Sequence, residues 1–224
     1  MGTVIGDLLP LAVGVAVSPI PIIAVILMML APRAGAASVG FALGWVAGIV
    51  VVVTITLLFA SGADLSDDDG PSTTASWIKL ILGVLLLTVG VLQWRKRPAP
   101  GESVPLPKWM AAIDHVTAAK AVGLGFLLSA VNPKNLLMCV SAGVTIAAGG
   151  LDDDEVVVAV AVFTVLAAST VLLPVVAFLV AEERMRHPLD ELKGWLQTNN
   201  TAVMAVLILV IGVSLFGKGL GGLL

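Results

Sequence analysis

The chain has 224 residues, 58 % of them hydrophobic and 12 % charged, with a mean hydropathy of +1.08 and a formal net charge of −3. A water-soluble domain carries about 25 % charged residues, so the composition excludes that class and predicts an integral membrane protein. The single cysteine, Cys139, excludes an intramolecular disulfide and a thiolate zinc cluster, and the absence of Tyr leaves the five Trp residues to mark the interfaces.

Only Asp7 is charged before Arg33, so the N-terminus lacks the basic region of a cleavable signal peptide and its apolar run is expected to stay as a helix. Taking about 20 apolar residues per span, the first runs from about Leu8 to Leu30 and ends at Ala31-Pro32-Arg33. The second runs from about Ala37 to Ala60, followed by a polar, acidic stretch from Ser61 to Thr74. The third runs from about Trp77 to Trp94 and stops at Arg95-Lys96-Arg97. Pro98 to Pro107 is too rich in proline for a regular helix, and Lys108 to Val116 reads as a short interfacial helix.

The fourth span is expected from about Ala121 to Ala148, followed by Gly149, Gly150 and the acids Asp152 to Glu155. The fifth covers about Val156 to Val180, with Pro174 as a kink. Glu182 to Asn200 reads as a polar connection, in which Pro188 opens a short helix with Leu189, Leu192 and Leu196 on one side and Trp195 at the interface. The sixth span covers about Ala202 to Phe216, and the tail from Gly217 is weakly specified.

Lys and Arg fall in alternate loops, which by the positive-inside rule puts the first, third and fifth loops in the cytoplasm and both termini outside. Lys79 and Lys218 dissent, on the outer side. Two segments look alike: Ser18-Pro19-Ile20-Pro21 in the first span and Asn132-Pro133-Lys134-Asn135 in the fourth. Leu87-Thr88-Val89-Gly90-Val91 and Leu209-Val210-Ile211-Gly212-Val213 form a fainter pair. Three spans per half with opposite starting sides is the geometry of an inverted repeat, and matched proline-interrupted helices in its halves point to a substrate site near the midplane. The halves are expected at 1–97 and 118–224, joined by a cytoplasmic linker at 98–117. The fold class is thus all-α, with six spans and broken first and fourth helices.

Lys134 is the one formally charged side chain expected deep in the membrane, fourteen residues from Lys120 and eighteen from Asp152. Such a lysine costs about 2.5–3.5 kcal/mol on insertion scales and is a functional candidate by default. Either it faces a cavity and attracts an anionic group, or it bonds carbonyls freed at the helix break. Asn132, Asn135 and Ser18 offer polar groups beside it, and Pro19, Pro21 and Pro133 make the breaks. Thr54, Thr56, Ser169 and Thr170 either line the same cavity or bond their own helices. Gly40, Gly44 and Gly48 mark one face of the second span, for packing within the monomer or between two copies. The acidic runs have no spaced ligand pattern, His115 and His187 are far apart, and no metal site or cofactor is expected. No enzyme signature is present, so a non-enzymatic role is expected.

Several strings resemble the GAP family, the lipid-addressing proteins of actinobacteria. They are Ser18-Pro19-Ile20-Pro21-Ile22-Ile23-Ala24 closed by Pro32-Arg33, Gly40-Phe41-Ala42-Leu43-Gly44-Trp45, Pro107-Lys108-Trp109-Met110, Gly123 through Asn132-Pro133-Lys134-Asn135-Leu136-Leu137, and Asn199-Asn200-Thr201-Ala202. That family includes sulfolipid-addressing proteins and belongs to the lysine-exporter (LysE) superfamily. The resemblance implies a six-helix transporter of the cytoplasmic membrane that exports an envelope lipid or glycolipid, with Asn132-Pro133-Lys134 and Ser18-Pro19-Ile20-Pro21 as elements of the substrate site. The expected partners are membrane lipids and an anionic lipid or small molecule, with a homodimer or lipid-export proteins as further candidates and no nucleic acid. The alternatives are export of a small soluble solute and a non-transporting assembly factor for a lipid-export complex.

Overall fold

A computed structural model describes residues 1–31, 34–61, 66–67, 70–71, 73–95, 113 and 116–223. They form eight helices: α1 (Gly2–Ala16), α2 (Pro19–Leu30), α3 (Ala34–Ser61), α4 (Thr73–Arg95), α5 (Ala118–Ala130), α6 (Pro133–Ala147), α7 (Asp153–Val180) and α8 (Glu182–Gly221). In the acidic loop, Ser66–Asp67 and Gly70–Pro71 pair as a two-residue antiparallel ladder. Nearly all of the segment expected as linker and interfacial helix lies outside the described residues, as do Pro32, Arg33, Lys96 and Arg97. Of that segment Ile113 is buried.

Four helices, α3, α4, α7 and α8, are long and apolar enough to cross a membrane, and the count becomes six if each bent pair, α1 with α2 and α5 with α6, is one span. Large apolar side chains stand on the outside of the bundle, among them Phe59, Leu173 and Val180 at 79, 68 and 83 % exposure. In water such a surface drives aggregation; against lipid tails it is the ordinary exterior of a membrane protein.

The breaks fall where the prolines dictate. Pro19 and Pro133 stand at the first helical position of α2 and α6, where a missing N–H leaves no bond unmade. Each forces its predecessor out of the helical region: Ser18 has φ −115° and ψ 97°, and Asn132 has φ −62° and ψ 119°. The chain therefore bends by 54° between α1 and α2 and by 67° between α5 and α6. Pro174, expected to kink the fifth span, lies inside a continuous α7.

Two glycine seams hold the long helices together. On α3, a Cβ at Gly40 would stand 2.7 Å from the Ala118 carbonyl oxygen, at Gly44 1.9 Å from that of Val122, and at Gly48 1.9 Å from Ser129 Oγ. The contacts advance together along both chains, so α3 and α5 run parallel, and the glycine face is spent inside the monomer. The second seam joins α4 to α8. Gly83 lies against Phe216, Gly90 against Leu209, Gly212 against Leu87 and Gly219 against Leu80, so these helices are antiparallel. The two similar pentapeptides thus cross each other, each presenting its glycine to the other's leucine. Small residues let helix backbones approach, which replaces the hydrophobic drive that lipid does not supply.

The largest departure from expectation is α8. The polar connection, the sixth span and the tail form one 40-residue helix, roughly 60 Å long at 1.5 Å per residue. The polar part stays helical because its charges are spaced to pair along it: Arg186 with Glu182 at 2.7 Å, and Lys193 with Asp190. Pro188 therefore sits within a helix instead of opening one. Leu189 and Leu196 are buried as expected, while Leu192 is exposed beside Trp195. The tail is held because Gly219 packs on Leu80.

Candidate functional site

The end of α1 sets the geometry of the site. A helix terminus leaves its last four carbonyls without intrahelical partners, and in a buried setting each needs a donor. Here the Val13 carbonyl accepts from the Val17 N–H at 2.8 Å. The Gly14 carbonyl accepts from Lys134 Nζ at 2.5 Å, and the Val15 carbonyl from Ser18 Oγ at 2.7 Å. The Ala16 carbonyl accepts from Thr170 Oγ1 on α7 at 2.5 Å and from the Ser18 N–H at 2.8 Å. The last four carbonyls of α1 are thus all satisfied, by donors from the break itself and from two other helices, α6 and α7.

Lys134 is the centre of this arrangement. It stands at the second position of α6, whose N-cap is Asn132, with the Asn132 Oδ1 accepting from the Lys134 N–H at 3.1 Å. Its side chain crosses to the other break, where Nζ donates to the Gly14 carbonyl, to Ser18 Oγ at 2.6 Å and, at 3.4 Å, to the Val17 carbonyl. The residue is 3 % exposed. Its ammonium is thus engaged by protein acceptors and does not face open space. The positive charge lies at the negative end of the α1 dipole, a favourable placement in a medium of low polarity.

Asn135, also fully buried, ties the two breaks together. Its Oδ1 accepts from Ser18 Oγ at 3.1 Å and its Nδ2 donates to the Leu128 carbonyl of α5 at 3.1 Å. The Ser18 hydroxyl has one proton and two acceptors in reach, the Val15 carbonyl and Asn135, so it is a switchable link in the network.

Of the residues singled out in the sequence, Ser18, Lys134 and Asn135 meet in one cluster, more than 110 positions apart along the chain. Pro19 and Pro21 are buried beside it, Asn132 is half-buried and serves its own helix, and Pro133 is exposed. Thr170 joins the cluster through Ala16, while Ser169 and Thr56 bond their own helices and Thr54 is exposed. That Lys134 bonds a freed carbonyl is one of its two expected readings; that the carbonyl is Gly14 of the other break, and that Thr170 serves Ala16 there, has no residue signature, because any residue carries a backbone acceptor. An ion pair at another end of the bundle also escaped: Lys218 Nζ and Asp7 Oδ1 are 2.5 Å apart. Its signal was the coincidence of lone charges of opposite sign assigned to one side.

The family model for Sap, sulfolipid-1-addressing protein, matches residues 8–221. No curated protein and no solved structure matches the chain.

Proposed function

Because the chain belongs to the sulfolipid-1-addressing protein family, we propose that it is a non-enzymatic exporter of an anionic lipid, glycolipid or precursor, working by alternating access in the cytoplasmic membrane. The single observation that carries this reading is the meeting of two broken helices at a buried ammonium. Broken helices persist at membrane depth where protein or a watery cavity satisfies the freed backbone, and matched breaks mark the substrate sites of inverted-repeat transporters. Lys134 supplies the charge that selects an anion, with Ser18 and Asn135 as hydrogen-bonding partners and Asn132, Pro133, Pro19 and Pro21 shaping the breaks. Transport requires that Lys134 exchange its bonds to Gly14 and Ser18 for bonds to the cargo's head.

Six crossings in two inverted halves are part of the proposal, as is a place in the lysine-exporter superfamily. The contacts support the crossings. Asp7 near the start of α1 meets Lys218 near the end of α8, Gly149 after α6 meets Val4, and Gly219 meets Leu80 near the start of α4. At the opposite end, the last residues of α2, the first of α3 and the first of α8 line a common groove. Each bent pair then connects one end of the bundle to the other. Arg95, Lys120, Arg184 and Arg186 share the groove end, which the positive-inside rule makes cytoplasmic.

The test is reconstitution. Purified protein in liposomes should move an anionic glycolipid between leaflets and leave a zwitterionic lipid of equal chain length in place. Movement of neither by an intact protein favours the assembly-factor reading, and movement of a soluble solute alone favours the solute exporter. One observation supports a second reading of Lys134 itself: its protons are already taken by protein acceptors, as they are in a residue that merely pins two breaks together.

A further inference from the structure

A second cluster of polar groups lies at the end of the bundle where Asp7 and Lys218 meet. A crevice of about 10 Å³ is lined there by Asp7, Pro10 and Leu11 of α1, Thr145 of α6, and Ile211, Ser214, Leu215 and Lys218 of α8. Its volume is that of about one water. Thr145 is 6 % exposed, and among the described residues neither its hydroxyl nor that of Ser214 has a hydrogen-bond partner. Lys79 of α4, also 6 % exposed, precedes Leu80, which packs on Gly219, the residue after Lys218. The cluster therefore holds two ammonium groups, two unused hydroxyls and one carboxylate.

Two cations around one anion leave an excess of positive charge, and free hydroxyls beside them are the donors that a tetrahedral oxyanion accepts from. Asp7 already fills part of that role. Its carboxylate sits on Lys218 as a substrate's anionic group would, but it is tethered to α1. The location fits a path. Asp7 is seven residues before Gly14, whose carbonyl holds Lys134, a separation of roughly 10 Å along the helix. Between them the seam is closed: a Cβ on Gly14 would stand 2.3 Å from Ile211 Cδ1 and 2.6 Å from Met138 Sδ. Ile211 also forms part of the crevice wall. The acids Asp153, Asp154 and Glu155 open α7 near this end, and they repel anions arriving from solution, so an anion reaches the crevice from the Lys134 side only when the seam parts.

We propose that Lys218, Lys79, Thr145 and Ser214 form a second oxyanion site, for a phosphate- or sulfate-bearing headgroup, and that Asp7 occupies it as an internal competitor until the headgroup displaces it. The site takes over the headgroup from Lys134, and breaking the Asp7–Lys218 pair unlatches α1 from α8 at the same moment. This inference rests on the exporter reading above.

The experiment uses the full chain in zwitterionic nanodiscs, titrated with dioctanoyl phosphatidic acid, inorganic phosphate and, as control, dioctanoyl phosphatidylcholine. Asp7→Asn should tighten phosphatidic acid binding at least ten-fold, and adding Lys218→Gln should remove the gain. The gain should persist in a Lys134→Met background, so transport lost in Lys134→Met and binding gained in Asp7→Asn report on the two sites separately. A gain shared by inorganic phosphate identifies a site open to solution; a gain confined to phosphatidic acid identifies one served by lipid. If Asp7→Asn does not fold, Thr145→Val and Ser214→Ala in the otherwise native chain decide, each expected to weaken binding at least three-fold. No gain in Asp7→Asn, a gain indifferent to Lys218→Gln, or unchanged binding in the two hydroxyl variants overturns the proposal, whether or not Lys134 proves essential for export.

Discussion

Replacing Lys134 with Met separates a transporting lysine from a pinning one. The substitution keeps the length of the side chain and removes the ammonium. The Gly14 carbonyl then loses its cross-helix donor, and an unsatisfied buried carbonyl costs about 1–3 kcal/mol. The Val17 carbonyl, 3.4 Å away, loses little, and Ser18 keeps its own donation to Val15 or Asn135. Against this stands the relief of about 2.5–3.5 kcal/mol that insertion scales assign to taking a lysine charge out of the bilayer centre. The two terms offset to within about 2 kcal/mol, so the variant should fold. Thermal unfolding in detergent should show a modest shift, while transport of an anionic lipid in liposomes should be abolished. Lys134→Arg should retain partial transport, because a planar fork replaces a point charge imperfectly. A stable Met variant with full transport refutes the role of Lys134 in moving cargo. A loss of stability beyond about 4 kcal/mol, with transport falling only in proportion to folded protein, identifies the lysine as a pin.

The remaining predictions concern the frame around the site. Gly44→Ala should destabilise the protein by about 1–3 kcal/mol through overpacking, since its Cβ would stand 1.9 Å from the Val122 carbonyl oxygen, whereas Gly123→Ala, with nothing within 4 Å, should be neutral or slightly stabilising; paired denaturation curves check both. Thr170→Val removes one of two donors to the Ala16 carbonyl and should cost about 1 kcal/mol, read as a lower unfolding temperature with the fold retained. Cysteines placed at Ser66 and Ser103 should be labelled by an impermeant reagent in intact cells at the first position only; labelling at Ser103 reverses the proposed orientation.

Sequence determines structure most directly where a local rule leaves little choice. Apolar runs longer than a bilayer is thick have no other stable home, so α3, α4 and α7 were legible to within a few residues. Proline acts on its immediate predecessor whatever surrounds it, so the breaks before Pro19 and Pro133 were legible too, as was the isolation of Lys134 among apolar neighbours. Continuity was harder. The segment from Glu182 to Asn200 carries charges, a proline and no long apolar run, and it reads as a connection; it is helical because pairs such as Glu182 with Arg186 are satisfied along its own surface and because the end of α8 is anchored on α4. Partnership was legible only in outline. The matched breaks set Ser18 beside Lys134 and Asn135, but which atoms bond, and that Asp7 meets Lys218 at all, is decided by how closely α1 approaches α6 and α8, as at Gly14 against Met138 and Ile211. The glycines that permit the approach are visible in the sequence, but which backbone each one meets is decided by the packing of the whole bundle, because a glycine offers space without specifying what fills it.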